Sequence, residues 1–404
     1  MDEPPKNLKD MLSEAKDTSE LMVDLAYAAL YYNAPDIAEE LGRLEDRLSD
    51  LAFDMRAICL IAARSRRDAE EMAGVLNVVS AIEKIGNAAV DIAGIVTRRL
   101  GIPSGLRSDL EQAEEVVTRV RVHDESTVDG QSLADLALPT EAGMRVIAIR
   151  RGDEWDFFPK GESVVIDDDI LFCMGAPDGI PELRRLAGAP PLSPEGGEPV
   201  EEELTDLGRA IDVLVEMKNT SEVAVGLAYS AVLFDDRGLA AEVSRLGDRM
   251  GEMREQLEMW VLRAAAETLD PGVLRGLLHL GVASEDISSA AQEMVWVVEE
   301  DEDVHPVFAA ALRDSDEVVV RVTVMAGSQA DGRTVRELAV EMETGVYLLA
   351  VLRDGRWRYR PRGGLSFQAG DDIIGVGPGE GTALLAEMCG DAELLNSLEE
   401  VEAS

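Results

Sequence analysis

The sequence is poor in the residues on which most enzymes draw. Histidine occurs three times, at His123, His279 and His305, and cysteine three times, at Cys59, Cys173 and Cys389. The cysteines stand far apart, with no CxxC pair and no disulfide framework, so a reducing cytosol is expected. The histidines have no partners at metal-ligand spacing. Aromatic residues make up only 4% of the chain, and lysine is confined to Lys6, Lys9, Lys16, Lys84, Lys160 and Lys218. No apolar run approaches the ~20 residues of a membrane span, and residues 1–5 lack the charged-then-apolar shape of a signal peptide. There is no GxSxG, no HExxH, no P-loop and no GxGxxG opening a βαβ unit. With no nucleophile beside a base, a cytoplasmic non-enzyme is expected.

Acid is what the chain has in excess. Asp and Glu total 80 against 38 Lys and Arg, a net charge of −42 over 404 residues. A field of that sign repels phosphate backbones and anionic membranes, which argues against nucleic acid and lipid surfaces as partners. An acidic, lysine-poor surface suits a cytosol near molar salt, where the Debye length falls to roughly 3 Å. The alternative is an acidic protein from a GC-rich mesophile. Hydrophobic residues at 46% suffice for several packed cores.

An internal duplication sets the architecture. Lys16, Thr18, Ser19, Glu20, Val23, Leu25, Ala26 and Tyr27 recur as Lys218, Thr220, Ser221, Glu222, Val225, Leu227, Ala228 and Tyr229. The same shift carries Asp129-Gly130 to Asp331-Gly332, Trp155 to Trp357, Pro159 to Pro361 and Gly175 to Gly377. A repeat unit of about 190 residues is a duplicated set of domains, not a solenoid. The Pro/Gly/Glu segment 189–203 reads as a linker long enough for the copies to lie side by side.

Each copy opens with helices. Ile37, Leu41, Leu44, Leu48, Leu51, Met55 and Ile58 form a seam that one side of a helix buries. Leu239, Val243, Leu246, Met250, Met253, Leu257 and Trp260 repeat it. A helix from about Leu8 to Tyr32 precedes the seam, broken at Asn33-Ala-Pro35, and another from about Asp68 to Leu100 follows. Three long helices with short connections predict an antiparallel bundle. The period then changes to two at Val116–Val122 and Val318–Val324. An Asp-Gly turn, a short helix over Ser132–Ala137, strands at Arg145–Arg151 and Ile170–Met174, and a helix over Pro181–Leu186 predict a β-α-β-β-β-α domain. Gly375-Val-Gly-Pro-Gly379 falls at a strand end and reads as a turn.

Two charged features stand out. Asp46 and Asp50, with Asp248 and Glu252 at the repeated places, lie one helical turn apart and can share a hard cation, or form a solvated acidic face. Arg353, Arg356, Arg358, Arg360 and Arg362 crowd into ten residues of an acidic protein, where copy one has Glu154, Asp156, Phe158 and Lys160. In a strand, residues 356, 358, 360 and 362 share one face. They form an anion site, pair with Glu154 and Asp156 across an interface between the copies, or stand exposed.

Lys16–Leu30, Asp36–Leu51 and Ile82–Ala93 resemble PhoU, the helical regulator of phosphate uptake. That family's motif reads approximately I-E-R-I-G-D; here it is Ile82-Glu83-Lys84-Ile85-Gly86-Asn87, with Ser289 in place of the aspartate in copy two. Val116–Leu186 and Val318–Glu387 resemble the TrkA C-terminal domain (RCK_C) of potassium channels and transporters. That likeness rests on Asp129-Gly130-Gln-Ser-Leu133, Gly143-Met-Arg-Val-Ile147, Ile149-Arg150-Arg151, Pro159 and Asp168-Asp169-Ile170-Leu171. The expected fold is α+β: two copies of a three-helix antiparallel PhoU-like bundle followed by a small TrkA C-terminal domain. The expected boundaries are bundles at 6–105 and 204–306, TrkA C-terminal domains at 112–188 and 314–390, the linker at 189–203 and an acidic tail at 391–404.

The resemblance implies a potassium-transport regulator that binds a small effector, cyclic di-AMP in some relatives, between paired domains. The implied ligand positions are Ile147, Ile149, Arg151 and Pro159, with Leu349, Val351, Arg353 and Pro361 in copy two. No resident cofactor or metal is expected, and NAD or ATP is not expected without the nucleotide-binding domain that often precedes this one. The expected partners are a potassium channel or transporter subunit and a small anionic effector. The two copies would form an intramolecular pseudo-dimer, with further homo-oligomers open. The competing reading is a PhoU-like accessory of phosphate transport or signalling with carboxylate metal sites.

Overall fold

The computed structural model describes residues 7–101, 103, 106, 116–124, 126–152, 154–157, 159–175, 177–190, 205–266, 271–300, 305–313, 315, 317–361 and 363–396. Most of the expected linker, the end of the acidic tail, Phe158 and Arg362 lie outside the described residues. The first copy runs α1 (Leu8–Tyr32), α2 (Pro35–Ala62), α3 (Arg66–Thr97), β1 (Val116–Arg121), α4 (Leu133–Leu136), α5 (Leu138–Ala142), β2 (Met144–Arg151), β3 (Glu154–Asp156), β4 (Ile170–Gly175) and α6 (Ile180–Leu186). The second runs α7 (Asp206–Phe234), α8 (Arg237–Ala264), α9 (Pro271–Glu299), α10 (Pro306–Arg313), β5 (Val318–Thr323), α11 (Val335–Leu338), α12 (Val340–Thr344), β6 (Tyr347–Arg353), β7 (Arg356–Tyr359), β8 (Asp372–Gly377) and α13 (Gly379–Cys389). The fold is α+β. Its residues group into two compact units, Met1–Glu111 with Glu201–Ser315, and Gln112–Val200 with Asp316–Ser404.

In the helical unit, local chemistry sets the helix ends. Asn7 caps α1 by accepting from the Asp10 amide, and Asn33 ends it in a left-handed conformation. Pro35 begins α2, and Ser65 with Asp68 forms a capping box on α3. The α2 seam is buried from Ile37 to Met55, but its last place passes from Ile58 to Cys59, and in α8 from Trp260 to Val261. The cause is the helical period, which drifts about 20° per heptad against a 3.5-residue spacing. Trp260 instead carries Arg209 and Arg263 over its ring. One element was not expected: α10, which packs on α1 and α7 through Phe308, Ala311 and Leu312.

The two bundles pack along α3 and α9. Close approach there depends on small residues: a methyl on Gly276 would stand 2.5 Å from the carbonyl oxygen of Gly101. The copies also exchange side chains. Lys16 is 2% exposed, lies 2.6 Å from Glu20 Oε2, and sits 5.4 Å from the Tyr229 ring centroid. Lys218 pairs with Glu222 and sits 5.1 Å from the ring of Tyr27. Burial, reinforced by Glu222, holds the Tyr27 phenol well above its usual pKa.

The α3–α9 seam departs from the repeat at Lys84. Lys84 Nζ bonds both carboxylate oxygens of Glu293, the longer contact being 2.6 Å. The repeated position of Lys84 is Asp286, and that of Glu293 is Asp91. The Asp286 carboxyl is held above the usual range by burial, then by Glu285 and Asp91. Asp286→Lys is therefore expected to replace repulsion by a second ion pair. A gain of about 0.5–1 kcal/mol at low salt, shrinking in molar salt, should show in parallel thermal melts.

In the strand unit, each copy forms an antiparallel four-stranded sheet, ordered β1-β4-β2-β3 and β5-β8-β6-β7. The short helix expected over Ser132–Ala137 is instead two helical turns, α4 and α5. Ala137 takes a left-handed φ of 43° between them, and Pro139 lies in the first turn of the second. The β6–β7 turn, Asp354-Gly355, has positive φ at both residues, the geometry a two-residue hairpin requires. Each domain closes its own core: Val120, Leu138, Ile149, Leu171 and Leu183 in one, Val322, Val340, Val351, Ile373 and Leu385 in the other. The last helix packs so tightly that a methyl on Gly381 would fall 1.9 Å from the Thr344 carbonyl oxygen.

The two strand domains meet through α5 and α12. Arg145 Nε lies 2.9 Å from Glu317 Oε1 across the same contact. The pairing of Arg356 and Arg358 with Glu154 and Asp156 does not occur: neither arginine makes an ion pair with either acid. The reason is topological. Helices α5 and α12 lead into the beginnings of β2 and β6, whereas β3 and β7 hang from their far ends, about 20 Å along each strand. Arg360 leaves the strand with a φ of 43° and turns over the Tyr347 ring, 5.6 Å away.

Candidate effector site

The implied ligand residues occupy β2, β6 and the loops after β3 and β7. Both inner strands carry a bulge, between Val146 and Ala148 and between Leu348 and Ala350. The extra residue is Ile147 in one copy and Leu349 in the other. Two residues apart on a regular strand, Ile147 and Ile149 would share a face; the bulge separates them. Ile149 and Val351 belong to the domain cores, whereas Ile147 and Leu349 are buried outside those clusters, 3% and 5% exposed. Pro159 and Pro361 stand half-buried in their loops.

The arginines have partners of their own. Arg151 Nε and Nη2 each bond Asp169 at 2.8 Å, and Nη2 also donates to the Val164 carbonyl at 3.0 Å. Arg353 repeats this: Nε bonds Asp371 Oδ1 at 2.6 Å, and Nη2 bonds Asp371 Oδ2 and, at 2.7 Å, the Ser366 carbonyl. Both aspartates are buried, at 0% and 1% exposure. Each also accepts from a backbone amide, Ile166 or Gln368. These bonds raise the guanidinium pKa in both cases. The fork edge that matches a carboxylate or phosphate bidentately is thus already closed on a carboxylate. Each arginine ties the end of an inner strand to the loop that begins β4 or β8.

Asp169 and Asp371 are the residues that sequence reasoning did not assign. Their signal was present: the duplication keeps an aspartate at both places, each after a residue with left-handed backbone, Asp168 (φ 67°) or Gly370 (φ 89°). The Asp129-Gly130 motif has a similar explanation. Asp129 Oδ1 accepts from the Asp167 amide, and Asp331 Oδ1 from that of Ala369, so each carboxylate braces the same loop. Among the described residues, no three His, Cys, Asp or Glu side chains gather as a metal site, at Asp46 and Asp50 or elsewhere.

In one chain, helical bundles accompany a pair of small α+β domains packed on each other. The TrkA-C domain family matches residues 117–188 and 319–390, and the PhoU domain family matches residues 12–96. The chain thus joins a helical segment of the PhoU domain type to two domains of the TrkA-C type. No curated protein sequence matches it. Among solved structures it is similar to PhoU from Pseudomonas aeruginosa, at 12% identity over 76% of this chain and 96% of that one, with a TM-score of 0.39. It is also similar to the GsuK RCK domain, at 12% identity over 69% of this chain and 64% of that one, with a TM-score of 0.18. The GsuK channel bound to NAD matches at 13% identity over 69% of this chain and 53% of that one, also with a TM-score of 0.18. Among the described residues, no helix is long and apolar enough to cross a membrane.

Proposed function

We propose that this chain is a ligand-sensing regulator, acting from the cytoplasm on a cation channel or transporter, with potassium as the cation. The observation that carries this reading is the packing of two TrkA-C domains on each other within one chain, through α5, α12 and the Arg145–Glu317 pair. A chain that supplies both halves of such a pair needs no second subunit to form the cleft between them. The proposed effector is a small anion of the cyclic dinucleotide class, and the proposed contacts are Ile147, Ile149, Arg151, Pro159, Leu349, Val351, Arg353 and Pro361. Ile147 and Leu349 are the apolar members of this set that lie outside the domain cores. With two donors of each guanidinium held by aspartate, Arg151 and Arg353 offer an anion the remaining Nη1 edge.

Isothermal titration of the full chain with cyclic di-AMP in molar KCl tests the site. Saturable heat near one molecule per chain, weakened tenfold or more in Ile147→Ser and Leu349→Ser, is the expected result. Wild-type chain without heat for any cyclic dinucleotide would reject this effector. The phosphate-transport alternative draws on the PhoU match at residues 12–96. It lacks a gathered set of metal ligands among the described residues.

A further inference from the structure

The edge strands β3 and β7 occupy equivalent places in the two sheets and carry opposite charge. β3 reads Glu154-Trp155-Asp156, and β7 opens Arg356-Trp357-Arg358. All four charged residues are exposed, and both tryptophans are partly covered. Each strand is outermost in its sheet, so one side of its backbone has no strand partner. Short, charged edges of this kind normally repel other edges. Here the two edges of one chain attract each other in charge, yet topology keeps them from meeting within it.

The geometry points to head-to-tail association of copies of this chain, β3 of one pairing antiparallel with β7 of the next. Three features of the edges agree on a register. The Arg360 amide donates to the Leu349 carbonyl at 2.9 Å. Residues two apart present their backbone groups to the same side, so Arg356 and Arg358 also bond β6, while Trp357 and Tyr359 turn N–H and C=O outward. By the matching register, Ile149 opposite Asp156 and Arg151 opposite Glu154, the outward backbone of β3 is that of Trp155. Pairing Trp155 with Trp357 then sets Glu154 opposite Arg358 and Asp156 opposite Arg356. Those are the closer, non-hydrogen-bonded positions of an antiparallel ladder, where opposite charges stabilise and like charges destabilise.

The faces agree as well. Antiparallel neighbours in a continuous sheet keep the same face upward, and Glu154, Asp156, Arg356 and Arg358 all stand on the face of Arg151, Ile149, Arg353 and Val351. The tryptophans meet on the opposite face. Two like edges, β3 with β3 or β7 with β7, would oppose charges of one sign and are excluded. Because each chain has one acidic and one basic edge, the contact is heterologous and extends as a chain or closes as a ring.

Sedimentation velocity of the full chain over a concentration series in molar KCl, where the chain is expected to stay folded, reads this directly. The expected result is a mass that rises past the monomer with concentration. Arg356→Glu with Arg358→Glu, and separately Glu154→Arg with Asp156→Arg, should each remain monomeric while keeping the wild-type circular dichroism. Mixing the two charge-reversed proteins should restore association, because every acidic edge again finds a basic one. A wild type that stays monomeric, either variant associating like wild type, or a mixture that stays monomeric would overturn the proposal.

Discussion

Asp371→Ala is expected to destabilise the second strand domain by about 3 kcal/mol, near the lower end of what removing one partner of a buried ion pair costs. Asp371 is 1% exposed and Arg353 15%, so the guanidinium left behind gains little water. The Gln368 amide would lose its acceptor as well. Asp169→Ala should cost less, about 1–2 kcal/mol, although the bonding is the same. Arg151 is 51% exposed, and water can replace the lost carboxylate. Denaturant unfolding of the two variants side by side checks the difference. Equal costs would show that the loop contacts, and not the desolvated charge, dominate. Arg353→Met combined with Asp371→Leu should recover part of the loss, since a packed apolar pair can match a buried ionic one.

Salt should have the larger effect on the whole chain. A net charge of −42 on 404 residues leaves many carboxylates without cations. In molar KCl the Debye length is roughly 3 Å, and at ~0.1 M it grows to about 10 Å, so each carboxylate then feels more of its neighbours. The expected outcome is a melting temperature that falls by more than ~10 °C between about 2 M and ~0.1 M KCl, with loss of helical signal at the low end. The Asp286 carboxyl, held above its usual range by burial and then by Glu285 and Asp91, is a local instance. A melting temperature constant across that range would show that the acidic surface is neutral to folding and would sink the reading of a salt-adapted chain.

What the sequence by itself determined is everything that repeats over short distances. The seams of α2 and α8, the cap at Asn33, the proline starting α2 and the alternation of β1 and β5 are local. Each follows from side-chain period or backbone preference that neighbouring residues cannot override. The constant offset between the copies made the domain order legible too. The tertiary structure decided which residues meet across distance. One extra residue in each inner strand sends Ile147 and Leu349 away from the faces of Ile149 and Val351, and a regular period cannot show a bulge. Arg151 and Arg353 looked like free cations because their aspartates lie eighteen residues on, beyond any helical or strand period. Arg356 and Arg358 matched Glu154 and Asp156 in charge, but sheet order put β3 and β7 at outer edges, away from the helices that join the copies. Charge pattern reports which groups would attract; only the path of the chain decides which of them can reach.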